Sequence, residues 1–451
     1  MSYATTPAES DRIPKGIPYI VANEAAERFS YYGMRAILVL FMTHYLRDAS
    51  GALAPLGEAD ARRYYHLFSS GAYLFPLVGA IVSDIFWGKY RTIITLSMVY
   101  CLGHFALALG DTGLGSGIGF APGHWLMLGL VLIAVGAGGI KPCVSAHVGD
   151  QFGHKNQHLM ERVYSWFYFS INFGAAISQL LVPYLLEHSG PGVAFGLPGV
   201  LMALATLVFW IGRHRFIHVP PAGLAASKHL VNRENGATLL RLSGLYVFIA
   251  FFWSLYDQSS SAWVLQAEKM DTRVGFLTIL PGQVQAVNPI MILVLIPLFS
   301  YVIYPALNRV FPLTALRKIA IGMFLIVPSF LVSAYIEAQL ADGAGVSIGW
   351  QMLAFLILTS AEVMVSITCL EFSYTQAPKS LKSLVLALYL ASVSAGNLFT
   401  SLVNWVIRTE DGKSRLSELN YYLLFAFVMA LAAVGFALVA RRFQDRQAGD
   451  V

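Results

Sequence analysis

The 451-residue chain is 57% hydrophobic and 12% charged, with a formal net charge of +5. Soluble domains carry roughly 25% charged residues, and half that share cannot coat a protein of this size. Soluble enzymes, nucleic-acid binders, collagen-like chains and disulfide-stapled domains are thereby excluded, leaving an all-α polytopic membrane protein whose apolar surface faces lipid.

Residues 1–16 form a polar tail holding Glu9, Asp11, Arg12 and Lys15, without the apolar core of a secretory signal. Hydrophobic windows then fall at 17–46, 64–87, 92–110, 124–148, 162–187 and 193–212. A polar stretch, 213–241, carries five basic residues and the pair Pro220-Pro221. Six more windows follow at 242–266, 284–308, 316–338, 349–376, 383–407 and 420–440. The expected organisation is a six-helix bundle over 17–212, a cytoplasmic linker over 213–241 and a second bundle over 242–440. Cytoplasmic tails at 1–16 and 441–451 complete it. Lys and Arg number nineteen in the segments on the amino-terminal side of the membrane and eight on the other, which places both termini in the cytoplasm. Cys101, Cys143 and Cys369 all lie in apolar runs and read as packing thiols rather than disulfide partners.

Away from the last few residues at each span end, only Arg28, Arg35 and Lys141 among the basic residues fall inside spans, with Glu24, Glu27, Asp257, Glu362 and Glu371 as the acidic counterparts. An ionised group near the bilayer centre costs about 2.5–3.5 kcal/mol on insertion scales, so each marks a functional site or a partnered charge. At about 100° per residue, Glu24, Glu27, Arg28, Tyr31, Tyr32 and Arg35 share an arc of about 140° on the first helix. Glu24 and Arg28 are four residues apart with the acid first, the favourable order for a helical ion pair. A self-neutralised pair that fixes helix packing would explain those two, but not why Glu27 and Arg35 join the stripe. Lys141, in Gly136-Ala-Gly-Gly-Ile-Lys-Pro142, matches Glu24 in depth and lies about 12 Å from its helix end, too deep to snorkel. Facing two glutamates, it would act as a proton switch, because protonating an acid frees the ammonium to hold a carboxylate.

Asp257 and Glu362 lie mid-span with no opposite charge within a turn, so each needs a partner on another helix or a ligand. Arg35 is the candidate partner for Asp257, in a salt bridge on the extracellular side; a protonated acid packed in the core is the plainer alternative for Glu362. Asn172 and Asn288 suit a ligand or an interhelical hydrogen bond equally. Tyr73, Trp253 and Tyr389 suit a cavity lining or ordinary packing. His66 opens the second helix and titrates near neutral pH when unperturbed, although a lone histidine there is more often structural. No metal-ligand spacing, nucleotide loop or nucleophile motif is found, which argues against an enzyme.

Several blocks resemble the proton-coupled oligopeptide transporters, a branch of the major facilitator superfamily. Glu24-Ala-Ala-Glu-Arg-Phe-Ser-Tyr-Tyr-Gly33 is similar to that family's ExxERFxYYG signature. Gly138-Gly-Ile-Lys-Pro-Cys-Val-Ser145 with Gly149-Asp-Gln-Phe152 resembles its fourth-helix block, and Phe167 to Gly174 its FYxxINxG block. Trp253 to Gln258 and Leu370 to Pro378 resemble its seventh- and tenth-helix blocks, and Gly79 to Arg91 the superfamily's loop 2–3 motif. The resemblance covers about residues 17–440.

It implies two six-helix bundles in the major facilitator fold, with proton influx driving uptake of di- and tripeptides, and peptide-like drugs as further substrates. Glu24, Glu27 and Arg28 would couple protons, with Lys141 as partner. Arg35 and Lys141 would bind the peptide carboxylate, Asn172, Asn288 and Glu362 its amino terminus, and Tyr31, Tyr32 and Tyr73 its backbone. Trp253 would line a side-chain pocket, and Arg35 with Asp257 would form the outer gate. The implied setting is the cell (inner) membrane, with the proton as coupling ion and no cofactor, and a functional monomer because the site lies between halves of one chain. Neither the extra helix pair of many bacterial members nor the large outer domain of animal members has room here. The wording leans towards the animal branch, including His66 where those members place a functional histidine. Independently of the family, a dipeptide zwitterion needs opposite charges about 6–7 Å apart. Arg35 and Lys141 supply one pole and Glu362 the other. A nitrate or drug-like anion carrier is the nearest rival, and Glu362 argues against it.

Overall fold

The computed structural model describes residues 3–7, 9–110, 120–223, 233–376 and 382–442. Pro378, linker residues 224–232 and the tail beyond 442 lie outside them. Eleven helices among the described residues are long and apolar enough to cross a membrane. The twelfth long helix, α1 (Ile17–Leu40, continued by a π-helical turn Phe41–Tyr45), is the one that carries Glu24, Glu27, Arg28 and Arg35. The others are α2 (Glu58–Ile81), α3 (Lys89–Leu109), α4 (Pro122–Asp150), α5 (Met160–Ser189) and α6 (Pro191–Ile211). Then come α7 (Arg233–Tyr256), α8 (Val287–Leu298), α9 (Ala315–Ala341), α10 (Gly349–Glu362), α11 (Lys382–Ile407) and α12 (Glu418–Arg442). Pro122 and Pro191 open α4 and α6, where a missing N–H costs nothing. α2 starts at Glu58 rather than 64, because its polar first turns continue the backbone ladder beyond the hydrocarbon core. A short hairpin, Arg273–Val274 paired antiparallel with Leu277–Thr278, turns through Gly275 at φ +62° and precedes α8.

The chain gathers into two compact units. The first holds Met1–Pro55 and Gly71–His229, the second Leu56–Ser70 and Leu230–Val451. In the first unit α3 packs on α4 and α6, while α1 packs on α5, α6 and α4. Small residues set these approaches, since lipid offers no hydrophobic drive between helices. A Cβ on Gly136 of α4 would lie 2.6 Å from Cβ of Tyr100, and one on Gly174 of α5 2.9 Å from the Ala25 carbonyl oxygen. In the second unit α9 packs on α12 and α10, α7 on α11 and α12, and α8 on α10. The span containing α8 is the least covered, with 17% of its apolar window buried. The three cysteines are free.

The start of α2 corrects the expected bundle boundary. Residues 56–70 belong to the second unit because their polar side chains find partners there. The fully buried Arg62 donates to both carboxylate oxygens of Glu418, at 2.7 and 2.9 Å, and stacks on Tyr421 with 4.3 Å to the ring centroid. Arg408 pairs with Asp60 at 3.2 Å and Lys269 with Glu58 at 3.3 Å. Removing one member of a buried pair strands the other charge and costs roughly 3–5 kcal/mol. Glu418→Ala should therefore lower the thermal midpoint in detergent clearly, followed by intrinsic tryptophan fluorescence; an unchanged midpoint would show that Arg62 needs no counter-ion.

Candidate functional site

In the first unit the charged stripe of α1 forms a compact buried cluster. Arg28 Nε donates to Glu24 Oε1 at 2.7 Å and lies 3.3 Å from Glu27 Oε2. Glu24 and Glu27 are buried, and the second oxygen of Glu24 has no hydrogen-bond partner among the described residues. Two carboxylates thus share one guanidinium. Ser30, one turn on, donates to the Glu27 carbonyl at 2.9 Å and meets the Tyr100 hydroxyl at 3.1 Å.

Lys141 comes down from α4 onto aromatic faces. Its Nζ stands 3.7 Å from the ring centroid of Tyr31 and 4.6 Å from that of Tyr73. The Arg35 guanidinium lies 5.5 Å from the Tyr31 ring, and Tyr31 meets Tyr32 edge to face at 5.5 Å. Lys141 forms no ion pair with a helix 1 glutamate among the described residues. Depth matching fixed the height of the two groups but not their azimuth, and the Tyr31 face takes the ammonium instead, an attraction that strengthens when desolvated. Asn172 spends its Nδ2 on the Tyr168 carbonyl of its own helix at 3.0 Å.

In the second unit Asn288 and Glu362 come together. Asn288 Nδ2 donates to Glu362 Oε2 at 2.7 Å and to Thr359 Oγ1 at 3.1 Å, while Tyr256 donates to Asn288 Oδ1 at 3.2 Å. Glu362 ends α10, and the chain passes there into a π-helical segment, Val363–Ile367. Such segments concentrate at functional sites because they re-aim one side chain within a continuous helix. Trp253 sits among Phe252, Tyr256 and Tyr389 at 5.3, 5.3 and 6.1 Å, its buried indole N–H without an acceptor among the described residues.

Asp257, at the end of α7, and His66, on α2, join through a residue that sequence reading missed. Asn397 of α11 donates Nδ2 to Asp257 Oδ2 at 2.5 Å and to the Val393 carbonyl at 3.0 Å. Its Oδ1 faces His66 Nδ1 at 2.8 Å, and His66 Nε2 faces Ser261 Oγ at 2.8 Å. Because the amide nitrogen is committed as a donor, Oδ1 accepts and His66 carries its proton on Nδ1. The Ser261 hydroxyl can donate to Nε2 of a neutral ring or accept from a charged one. The signal for Asn397 was its place on the polar face 394, 397, 401, 404 of an otherwise apolar helix.

The loop 2–3 motif is joined to the end of α4. Lys89 pairs with Asp150 at 2.7 Å, Gly88 turns the chain at φ +76°, and the Asp84 carbonyl accepts from Ala222 N at 2.8 Å.

Residues 90–233 and 227–414 match PTR2, the model of the POT family. Solute carrier family 15 member 2 of Homo sapiens is 36% identical over 398 residues, covering 79% of this chain and 53% of that protein. Peptide transporter family 1 of Drosophila melanogaster is 36% identical over 371 residues, covering 73% and 48%. The chain thus spans about half the length of the curated relatives it matches. Among solved structures, the POT family transporter PepTSo superposes with a TM-score of 0.83 at 35% identity, covering 96% of this chain and 98% of that one. An auto-inhibited POT family peptide transporter gives 0.84 at 33% identity, with the same coverage.

Proposed function

This chain belongs to the POT family, and from that premise we propose that it is a proton-coupled symporter importing di- and tripeptides by alternating access, driven by the proton electrochemical gradient. It is a multi-pass membrane protein of a transporter family, not an enzyme. The observation that carries the reading is the buried Glu24–Arg28–Glu27 cluster, which holds one carboxylate more than its guanidinium balances. A proton reaching that cluster supplies the missing charge. Lys141, resting on ring faces without a hydrogen-bond acceptor among the described residues, is the cation available to a peptide carboxylate, together with Arg35. Glu362, held by Asn288, is the anion for the amino terminus.

Asn172 and Asn288 assist at the amino terminus, Tyr31, Tyr32 and Tyr73 contact the backbone, and Trp253 lines a side-chain pocket. Arg35 and Asp257 close the outer gate, and His66 takes part in proton transfer. The basic-residue asymmetry supports cytoplasmic termini, and a cell (inner) membrane location goes with the transport proposed. The protein works as a monomer with the proton as coupling ion, needs no cofactor, and accepts peptide-like drugs because few side-chain-specific contacts are offered.

The test is uptake of radiolabelled dialanine into proteoliposomes with and without an inward proton gradient. Gradient-dependent uptake, blocked by trialanine but not by alanine, is the expected result. No uptake by folded protein would sink the peptide reading, and nitrate and amphipathic anions would be tried next.

A further inference from the structure

Glu371 is an in-span acid that the proposed transport mechanism leaves unused. It faces a cavity of about 570 Å³ within the second unit, in the size range of small-molecule sites. The cavity lies where the chain leaves α8 through the short helix Tyr304–Val310, enters α9, and passes below the π-helical segment that follows α10. Ser300, Tyr304, Asn308, Lys318, Thr368 and Glu371 line it. Lys318 Nζ sits 4.4 Å from the centroid of the Tyr304 ring, and among the described residues neither Lys318 nor Glu371 forms an ion pair. One cavity therefore presents a cation and an anion that do not pair with each other, and hydroxyls line it as well.

The neighbouring side chains are apolar or aromatic and exposed. Tyr301 is 82% exposed, Val302 57% and Val310 81%, on the span with the smallest buried share of all. An occupant here meets charged and hydroxyl groups at one end and bare apolar helix at the other. We propose that this cavity binds the zwitterionic headgroup of a phospholipid bearing a primary amine, phosphatidylethanolamine in chemistry. Lys318 takes the phosphate and Glu371 the ammonium, and the acyl chains lie along the exposed face of the span that contains α8. Basic pockets between membrane helices hold lipid headgroups by the same charge complementarity. The carboxylate selects within that class, because it repels a purely anionic headgroup and receives N–H hydrogen bonds that a quaternary choline lacks.

Native mass spectrometry of the purified full chain, offered equimolar phosphatidylethanolamine, phosphatidylcholine and phosphatidylglycerol, tests the assignment. The wild type should carry the ethanolamine lipid in excess by about threefold, the range expected of a solvent-accessible ion pair. Glu371→Gln should bring that ratio to about one, and Lys318→Met should reduce adducts of both lipids. Glu371→Ser removes the same charge should the amide variant fail to fold. Equal binding of both lipids by wild type, or preference for phosphatidylglycerol, overturns the proposal. Displacement of the lipid by millimolar dialanine would reassign the cavity to a free zwitterion and likewise overturn the lipid assignment.

Discussion

Glu27→Gln should bring proton-driven dipeptide accumulation down to the equilibrium level while leaving peptide exchange across the membrane intact. One charge crossing 100 mV contributes about 2.3 kcal/mol, or roughly fifty-fold accumulation per proton, and the variant should lose that whole factor. Glu27 is singled out over Glu24 by geometry. Glu24 holds the short contact to Arg28 Nε at 2.7 Å, whereas Glu27 stands at 3.3 Å, fully buried and with both oxygens lacking a hydrogen-bond partner among the described residues. Of the two acids it makes the longer contact to Arg28, so neutralising it leaves the short Glu24–Arg28 pair in place. Glutamine keeps the shape and removes the titration. Exchange without a gradient reports folding and binding in the same vesicles, so loss of coupling is separable from loss of protein. Intact uphill uptake by Glu27→Gln would remove the coupling assignment.

The stripe on α1 was legible because a helix converts spacing into a face, and Glu24, Arg28 and Glu27 meet there as that geometry requires. The spans were legible because hydrophobic length is set by the bilayer rather than by tertiary contacts. Azimuth between helices was not. Lys141 and Glu24 agree in depth, yet the ammonium rests on Tyr31 and Tyr73. The partners of the first turns of α2 were not legible for a related reason: Arg62 and His66 find Glu418, Asn397 and Ser261, about two hundred residues or more away in sequence, and polar residues in an amino-terminal turn give no hint of so distant a partner. Asn397, flanked by Gly396 and close to Ser394, reads as a small-residue packing segment until its face is drawn. The π-helical turn after Glu362 leaves no mark in hydropathy at all.

Asn397→Leu should cut dialanine exchange at least about tenfold, because it removes one buried hydrogen bond from Asp257 and another from His66 at once. The amide donates to Asp257 through Nδ2 and accepts from His66 through Oδ1, so it holds an acid and a titratable ring in fixed register, with Ser261 on the far side of the ring. Ser261 can reverse the sense of its hydrogen bond by rotating a hydroxyl, which lets His66 gain or lose a proton without displacing Asn397. Asn397→Asp sharpens the test. At neutral pH its carboxylate cannot donate to Asp257, and two like charges in contact repel, so exchange should fall as far as in Asn397→Leu. Exchange by Asn397→Asp, measured without a transmembrane gradient, should therefore stay as low as that of Asn397→Leu. Reciprocal replacement of Arg35 and Asp257 serves as the control for the outer gate: partial rescue is expected if Asp257 acts through that arginine, and none if it acts through His66 alone. Wild-type exchange by Asn397→Leu would show that the Asp257–Asn397–His66–Ser261 chain is packing and takes no part in transport.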